Sequence, residues 1–275
     1  MKKYFLLLAA FLLCAPTFVA CGDDDEPAQQ QQGGNQGGGD DQGGGGNQGG
    51  GGGGGSQATP STPIKVTTSG KVLTELRADE LGQTEKLSFD RFPVNFEDFQ
   101  RTYTKDLESS IVGNIAAHLM AEQLYYYDQT EGEKAIRLCN YSTNQSQVLD
   151  VIKYRFRKGK NGNDNMPALV AAFLDGATPL NAYHPKKPYT IIVQHHPTRG
   201  PEDITITTPS LRYWVMNVWS NGVKNEDKTY GTWRQVCVAK IQGKSGYKMY
   251  ECAYLYYNPV GLDMDSDPAT FEELH

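Results

Sequence analysis

From Pro27 to Pro63 the chain holds no large apolar residue, and Asp40 and Asp41 are its only charges in that stretch. A segment of Gly, Gln, Asn, Ser, Thr, Ala and Pro cannot bury enough surface to offset the entropy lost on ordering. No fold is expected within it. As a Gly-rich coil it has an r.m.s. reach of roughly 30–35 Å, so it acts as a spacer. Whatever folds must therefore be encoded in residues 64–275, the usual size of one domain or two small ones. We expect a single domain there, with its core between about 95 and 260.

Upstream of the spacer the chain opens Met1-Lys2-Lys3, runs apolar from Tyr4 to Ala20, and then reads Cys21-Gly22-Asp23-Asp24-Asp25-Glu26. A basic start, a short apolar core and small residues before a cut read as a secretory signal peptide over residues 1–20. The apolar stretch is short for a bilayer span. Phe18-Val19-Ala20-Cys21 resembles the lipobox of bacterial lipoproteins, which implies acylation of Cys21 as the new N-terminus. The acids Asp23, Asp24, Asp25 and Glu26 resemble the export signal of Bacteroidota-type surface lipoproteins. Residues 21–63 would then be a lipidated tether, held by acyl chains that each contribute about 0.8 kcal/mol per buried methylene. Two other readings stay open: lipidation at Cys14, which lacks a small residue before it, and a plain secretory signal.

The net charge is −6. Setting aside Lys2, Lys3 and the six acids of the tether leaves residues 64–275 close to neutral. Nothing in that balance calls for nucleic acid or an anionic membrane face as a partner, since both need a strongly basic surface.

Helical signals come first along the domain. Asn95 suits an N-cap, with Asp98 three residues on, and predicts a short helix to about Thr104. From Leu107 to Tyr127 the residues Ile111, Ile115, Leu119 and Leu124, joined by Val112, Ala116 and Met120, form a wide apolar stripe at helical period. Glu133–Cys139 reads as a further short helix. Ser146–Lys158 fits either a strand or a helix, and its length favours the helix. Ile64–Val66 and Lys71–Leu73 read as short strands. After Asn163 prolines punctuate short alternating runs, which predicts strands at Tyr189–His195, Ile204–Thr207, Leu211–Trp219, Thr232–Ile241 and Tyr247–Tyr257. Helices followed by a strand meander argue for an α+β fold, with helices packed on one face of an antiparallel sheet. Leu211–Trp219 is apolar on both faces and belongs centrally.

A tight turn through Gly243-Lys244-Ser245-Gly246 would set Cys237 directly opposite Cys252. Opposed residues of an antiparallel pair lie within disulfide reach. That register predicts a Cys237–Cys252 bridge in an oxidising compartment, against an alternative of two buried thiols. A slip of one residue would put them on opposite faces. The same register aligns Trp233, Tyr250, Tyr254 and Tyr256 on one face. Such rings commonly bind sugars, the apolar face covering the C–H side of a pyranose. Ordinary core packing is the competing reading.

Catalytic and metal signatures are weak. The histidines His118, His184, His195, His196 and His275 match no metal or catalytic spacing, and His195 and His196 on one strand point to opposite faces. Gly243-Lys244-Ser245 lacks the upstream glycine of a phosphate loop, because Val238 stands there. Asp263, Asp265 and Asp267 imitate the start of a calcium loop, but Pro268 and Leu274 occupy the positions of its glycine and glutamate. The cluster Lys153, Arg155, Arg157, Lys158 and Lys160 reads as a solvated helix face. No cofactor, metal ligand or catalytic residue is assigned.

The segment Gly176-Ala177-Thr178-Pro179-Leu180-Asn181-Ala182-Tyr183, followed by Pro188-Tyr189 and a strand, is similar to the signature of a small uncharacterised bacterial family. The likeness extends from about Phe96 to Pro259, with a longer insert around Asn221–Tyr230. It implies a helical first half and a β-rich second half, but no activity. Asn181 and Tyr183 are expected to fix the turn. The functional expectation is an outer-membrane-anchored, surface-exposed lipoprotein displaying a non-enzymatic binding domain for an extracellular glycan or protein. The alternatives are a hydrolase whose site assembles from residues distant in sequence, and a structural envelope subunit.

Overall fold

Asn95 closes the lead-in segment: its side chain accepts from the Asp98 N–H at 2.9 Å and starts helix α1, Phe96–Thr102. The computed structural model describes residues 57–70, 81–141, 145–156, 167–204, 210–227, 229–252 and 255. A π-helical turn, Tyr103–Leu107, follows α1 directly. The stripe helix then begins at Ile111 and not at Leu107, because Ser110 caps it by accepting from the Gly113 N–H at 2.8 Å.

That helix, α2 (Ile111–Tyr127), is buried from Ile111 through Tyr125. It therefore has no solvent face: it packs on the sheet and is covered by α1 and by α3, Gln129–Cys139. The apolar stripe understated its burial because Ala, Gly and short polar residues fill the remaining sides. Asp128 caps α3 by accepting from Thr130 and Glu131, which starts that helix four residues before the expected Glu133. Gly132 lets α2 and α3 touch, since a Cβ there would stand 2.1 Å from Tyr125 Cα. The ambiguous stretch is helix α4, Gln145–Arg155, with Val148, Leu149 and Ile152 inward and Lys153 outward. A short α5 spans Pro167–Ala171.

The strands are β1 (Val66–Gly70), β2 (Thr84–Phe89), β3 (Tyr189–His195), β4 (Glu202–Ile204), β5 (Leu211–Lys224), β6 (Tyr230–Ile241) and β7 (Lys248–Glu251). They form one antiparallel sheet in the order β1-β2-β3-β5-β6-β7, with β4 also paired to β5. The α+β expectation holds, and β5 sits centrally. Strand β2 was missed by sequence reasoning: Leu87 and Phe89 alternate with Lys86 and Ser88, but the run is short and starts among polar residues. Lys71–Leu73 and Thr205–Thr207 lie outside the described residues.

One boundary differs from expectation. The spacer was expected to run to Pro63, yet residues 57–62 lie along α1: Asn95 Nδ2 donates to Gln57 O (2.7 Å), Arg101 to Pro60 O (2.9 Å) and Arg91 to Thr62 O (2.8 Å). The polar composition hid this because the contacts are hydrogen bonds of backbone carbonyls and of the Gln57 and Thr59 side chains, with no apolar anchor.

The second correction concerns the expected Cys237–Cys252 disulfide. A register irregularity between Cys237 and Val238 sets Cys237 opposite Glu251, while Val238 pairs with Met249. Cys252 thereby joins the apolar core on the helix side of the sheet, and Cys237 lies on the other side with its Sγ 3.6 Å from Glu251 Oε2. Cys139, Cys237 and Cys252 are all free thiols in the structure.

Candidate functional site

The helix-covered face of the sheet is closed: Val193, Trp214, Met216, Val218, Val236 and Val238 lie in the apolar core. Among the described residues the opposite face is only half-covered. On β3 its residues Thr190, Ile192 and Gln194 are each partly exposed, between buried neighbours. The register carries Gln194 to Asn217 on β5 and Asn217 to Gln235 on β6, so three carboxamides cross three strands in one row. Asn217 Nδ2 donates to Gln194 Oε1 at 3.4 Å.

Two residues along the strands, Trp219 and Trp233 stand directly opposite one another. Their ring centroids are 5.1 Å apart and the planes meet at 75°, an edge-to-face arrangement. Both rings are partly exposed. Trp219 is fixed by an Nε1–H bond to Asn221 Oδ1 (2.8 Å), and Asn221 in turn donates to Leu174 O (2.9 Å). Gly231 lies beneath the Trp219 ring at φ +135°, where a Cβ would come within 2.1 Å of Cζ2. The result is a rigid aromatic pair beside an uncharged amide row.

Of the four aromatics expected to form one row, Trp233 is on this platform. Tyr250 is not beside it: its ring lies between Tyr141 (5.7 Å) and Tyr213 (6.0 Å), level with the irregularity near Cys237. That is roughly 13 Å farther along the strand at about 3.3–3.4 Å per residue. Tyr254 and Tyr256 lie outside the described residues, as do Cys21, Asp23, Asp24, Asp25 and Glu26. Trp219 was missed as a site residue. Its pairing with Trp233 follows from the β5–β6 hairpin, whose tip falls within the Asn221–Tyr230 insert.

The other end of this face is ionic. Arg199 donates to Glu202 at 3.0 Å, and the Tyr213 hydroxyl donates to the same carboxylate. The bond to Glu202, reinforced by burial, pushes the Tyr213 phenol up to about 12. Burial, with the Glu251 charge close by, likewise pushes the Cys237 thiol up to about 12. A thiol held there is protonated at neutral pH and is a poor nucleophile. The neighbouring cleft of about 410 Å³ is lined by Arg212, Lys240 and Lys244, with Arg212 held in a two-point bond by Asp203 (2.7 and 2.9 Å).

The histidines separate. His195 is buried on the helix side, with Nδ1 3.2 Å from His196 O, whereas His196 accepts from Thr198 N–H at 3.3 Å. His184 Nδ1 contacts Asn181 O at 2.8 Å. His118 is buried in α2 with Nε2 2.8 Å from Glu122 Oε1 and Nδ1 3.0 Å from Asn140 Nδ2. Sequence reasoning passed over that pair, although the four-residue spacing on a buried helix was its signal. Among the described residues no group of three or more His, Cys, Asp or Glu side chains is placed to hold a metal ion.

The Gly176–Tyr183 segment is a locked turn. Asn181 accepts from the Thr178 N–H (2.8 Å) and donates to Gly176 O (2.8 Å) and His184 O (3.0 Å), while Tyr183 is fully buried. These residues fix loop geometry, as expected. No curated protein and no solved structure matches the chain. A family model does, over residues 91–259, which is more than half of the sequence. The chain belongs to the domain family of unknown function DUF6935.

Proposed function

We propose that this chain is a lipid-anchored, surface-displayed binding module whose ligand is a neutral glycan, held on the open sheet face at Trp219 and Trp233. The observation that carries the reading is the half-exposed tryptophan pair beside Gln194, Asn217 and Gln235. Indole faces cover the apolar side of a sugar ring, and carboxamides both donate to and accept from its hydroxyls. None of these five side chains is ionisable, which matches an uncharged polysaccharide better than an anionic one or a charged protein surface.

The anchoring half of the proposal rests on the sequence around Cys21 and on the polar spacer that follows it. A Gly-rich spacer of that composition would hold the domain clear of the lipid headgroups, as a module that captures polymers outside the membrane requires. Affinity electrophoresis of the protein through gels holding neutral glucans, xylans or mannans tests the binding role. Retardation in at least one neutral gel supports it, and unchanged mobility in all of them removes it.

A further inference from the structure

At the end of β5 and β6 remote from the tryptophans, three charged residues stand in one row across the sheet. Asp203 on β4 pairs with Arg212 on β5, and Arg212 pairs with Lys240 on β6. Two residues along, Trp214 and Val238 are paired core residues, so Arg212 and Lys240 share the helix-side face with them. Like charges set directly opposite one another cost free energy. Asp203 relieves Arg212 through its two-point bond, whereas Lys240 has only the Tyr247 ring, 5.5 Å from its Nζ to the centroid. The row opens into the cleft of about 410 Å³, and a second cleft of about 460 Å³ shares Ile241, Gly243 and Lys244 with it. In the second, Glu108 is taken by Lys248 at 3.3 Å. Both acids are therefore committed, and among the described residues Lys240 and Lys244 have no carboxylate partner. The rim is held by backbone bonds: Gln242 N–H donates to Ser210 O (3.0 Å), Lys244 N–H to Ile241 O (3.1 Å) and Tyr247 N–H to Glu108 O (2.9 Å). Gly243 turns the chain at φ +78°, with open space where a Cβ would stand.

We propose that this cleft binds a doubly charged oxyanion, a phosphate or sulfate group, between Arg212, Lys240 and Lys244. The two surplus ammonium groups supply the charge, and the guanidinium, oriented by Asp203, supplies planar donors. A single carboxylate would neutralise only one of the two lysines, whereas a dianion answers both. An anion seated against Lys240 also relieves its repulsion with Arg212 across the β5–β6 ladder. The volume lies in the range of small-molecule pockets, about 300–1,000 Å³, so the group can be carried on a monoester with its organic part in the same cleft. The site is independent of the glycan platform. It lies on the opposite face of the sheet, and seven residues of β5 separate Arg212 from Trp219, about 23 Å of strand.

The test is titration calorimetry of the full chain at low ionic strength with inorganic phosphate, inorganic sulfate and glucose 6-phosphate as separate probes. Saturable binding of at least one probe is expected, weakening as sodium chloride is added. Lys240→Gln and Lys244→Gln should each weaken it at least about threefold, through loss of one charge-assisted contact. Lys153→Gln, on α4, should leave it unchanged. Should Lys240→Gln disturb the packing on Tyr247, Lys244→Gln on its exposed turn decides alone. Tighter binding of glucose 6-phosphate than of inorganic phosphate assigns the site to an ester, and the reverse assigns it to the free ion. Absence of saturable binding by all three probes, wild-type affinity in Lys244→Gln, or an equal loss in Lys153→Gln overturns the proposal. Neither lysine variant should alter retardation by neutral glycans, so the two claims fail separately.

Discussion

Trp219 and Trp233 face each other across the β5–β6 ladder with centroids 5.1 Å apart, on the side of the sheet that the helices leave open. The pair is built by backbone register and held by neighbours: Gly231 below, Asn221 at the indole N–H, and Leu174 O behind Asn221. An edge-to-face pair of this kind contributes about 0.5–1.5 kcal/mol beyond its area.

Gly231→Ala should move the Trp219 ring. The residue sits at φ +135°, and the new methyl would meet Trp219 Cζ2 at 2.1 Å. A loss of about 1–3 kcal/mol is expected from the strained backbone. Chemical denaturation measures it, and a changed tryptophan emission spectrum in the folded state reports the displaced ring.

Asp98 should dominate acid sensitivity at the start of α1. Burial acts to raise its pKa, but the hydrogen bond and charge of Arg91, then Arg101 and the Val94 N–H, outweigh it and hold the carboxyl below its ordinary value. The stabilisation is therefore complete above the unfolded value of about 3.9 and fades as pH falls through the lower folded one. Asp98→Asn should cost about 1.5–3 kcal/mol at neutral pH. Its denaturation midpoint should also fall less between pH 5 and pH 3 than that of the wild type.

The His118–Glu122 pair should give the opposite slope. Desolvation works to lower the pKa of His118, yet Cys252, Glu122 and Cys139 around it raise it well above the ordinary histidine value. Its contribution is then fully present below about 6.5 and is lost as pH rises through the folded value. His118→Gln leaves the Glu122 charge buried without its partner, which costs about 3–5 kcal/mol at pH 6. Urea midpoints of the reduced protein should show that cost shrinking toward pH 9.

If the chain is lipid-anchored as proposed, its attachment to the membrane is carried by one atom, the Cys21 sulfur. Cys21→Ala should move the protein from the membrane fraction to the soluble one after cell fractionation and immunoblotting. Retention in the membrane would contradict lipidation at that residue.

Much of the architecture was legible because local chemistry and tertiary packing agree. Asn95 caps α1, β3 runs from Tyr189 to His195 as read, and the two apolar faces of β5 announce a central strand. The expected Cys237–Cys252 contact is not formed for a specific reason: pairing arithmetic assumes an unbroken ladder, and one irregularity after Cys237 changes which face Cys252 meets. Trp233 was recognised singly while its partner was not, since Trp219 enters the site only through the length and register of the β5–β6 hairpin. His118 and Glu122 looked like ordinary polar breaks in an apolar helix because α2 is buried on all sides, so periodicity no longer separates inside from outside.

Glycan binding at the Trp219–Trp233 pair is decided by titrating the neutral polysaccharide that retards the protein against wild type and Trp233→Ala in parallel calorimetry. Measurable binding by the wild type is expected, with a loss of at least about tenfold in affinity for the variant, the size of a hot-spot aromatic contact of about 1.4 kcal/mol or more. Little change is expected in the variant's far-ultraviolet circular dichroism. Equal affinity in a folded Trp233→Ala would contradict glycan binding at this pair.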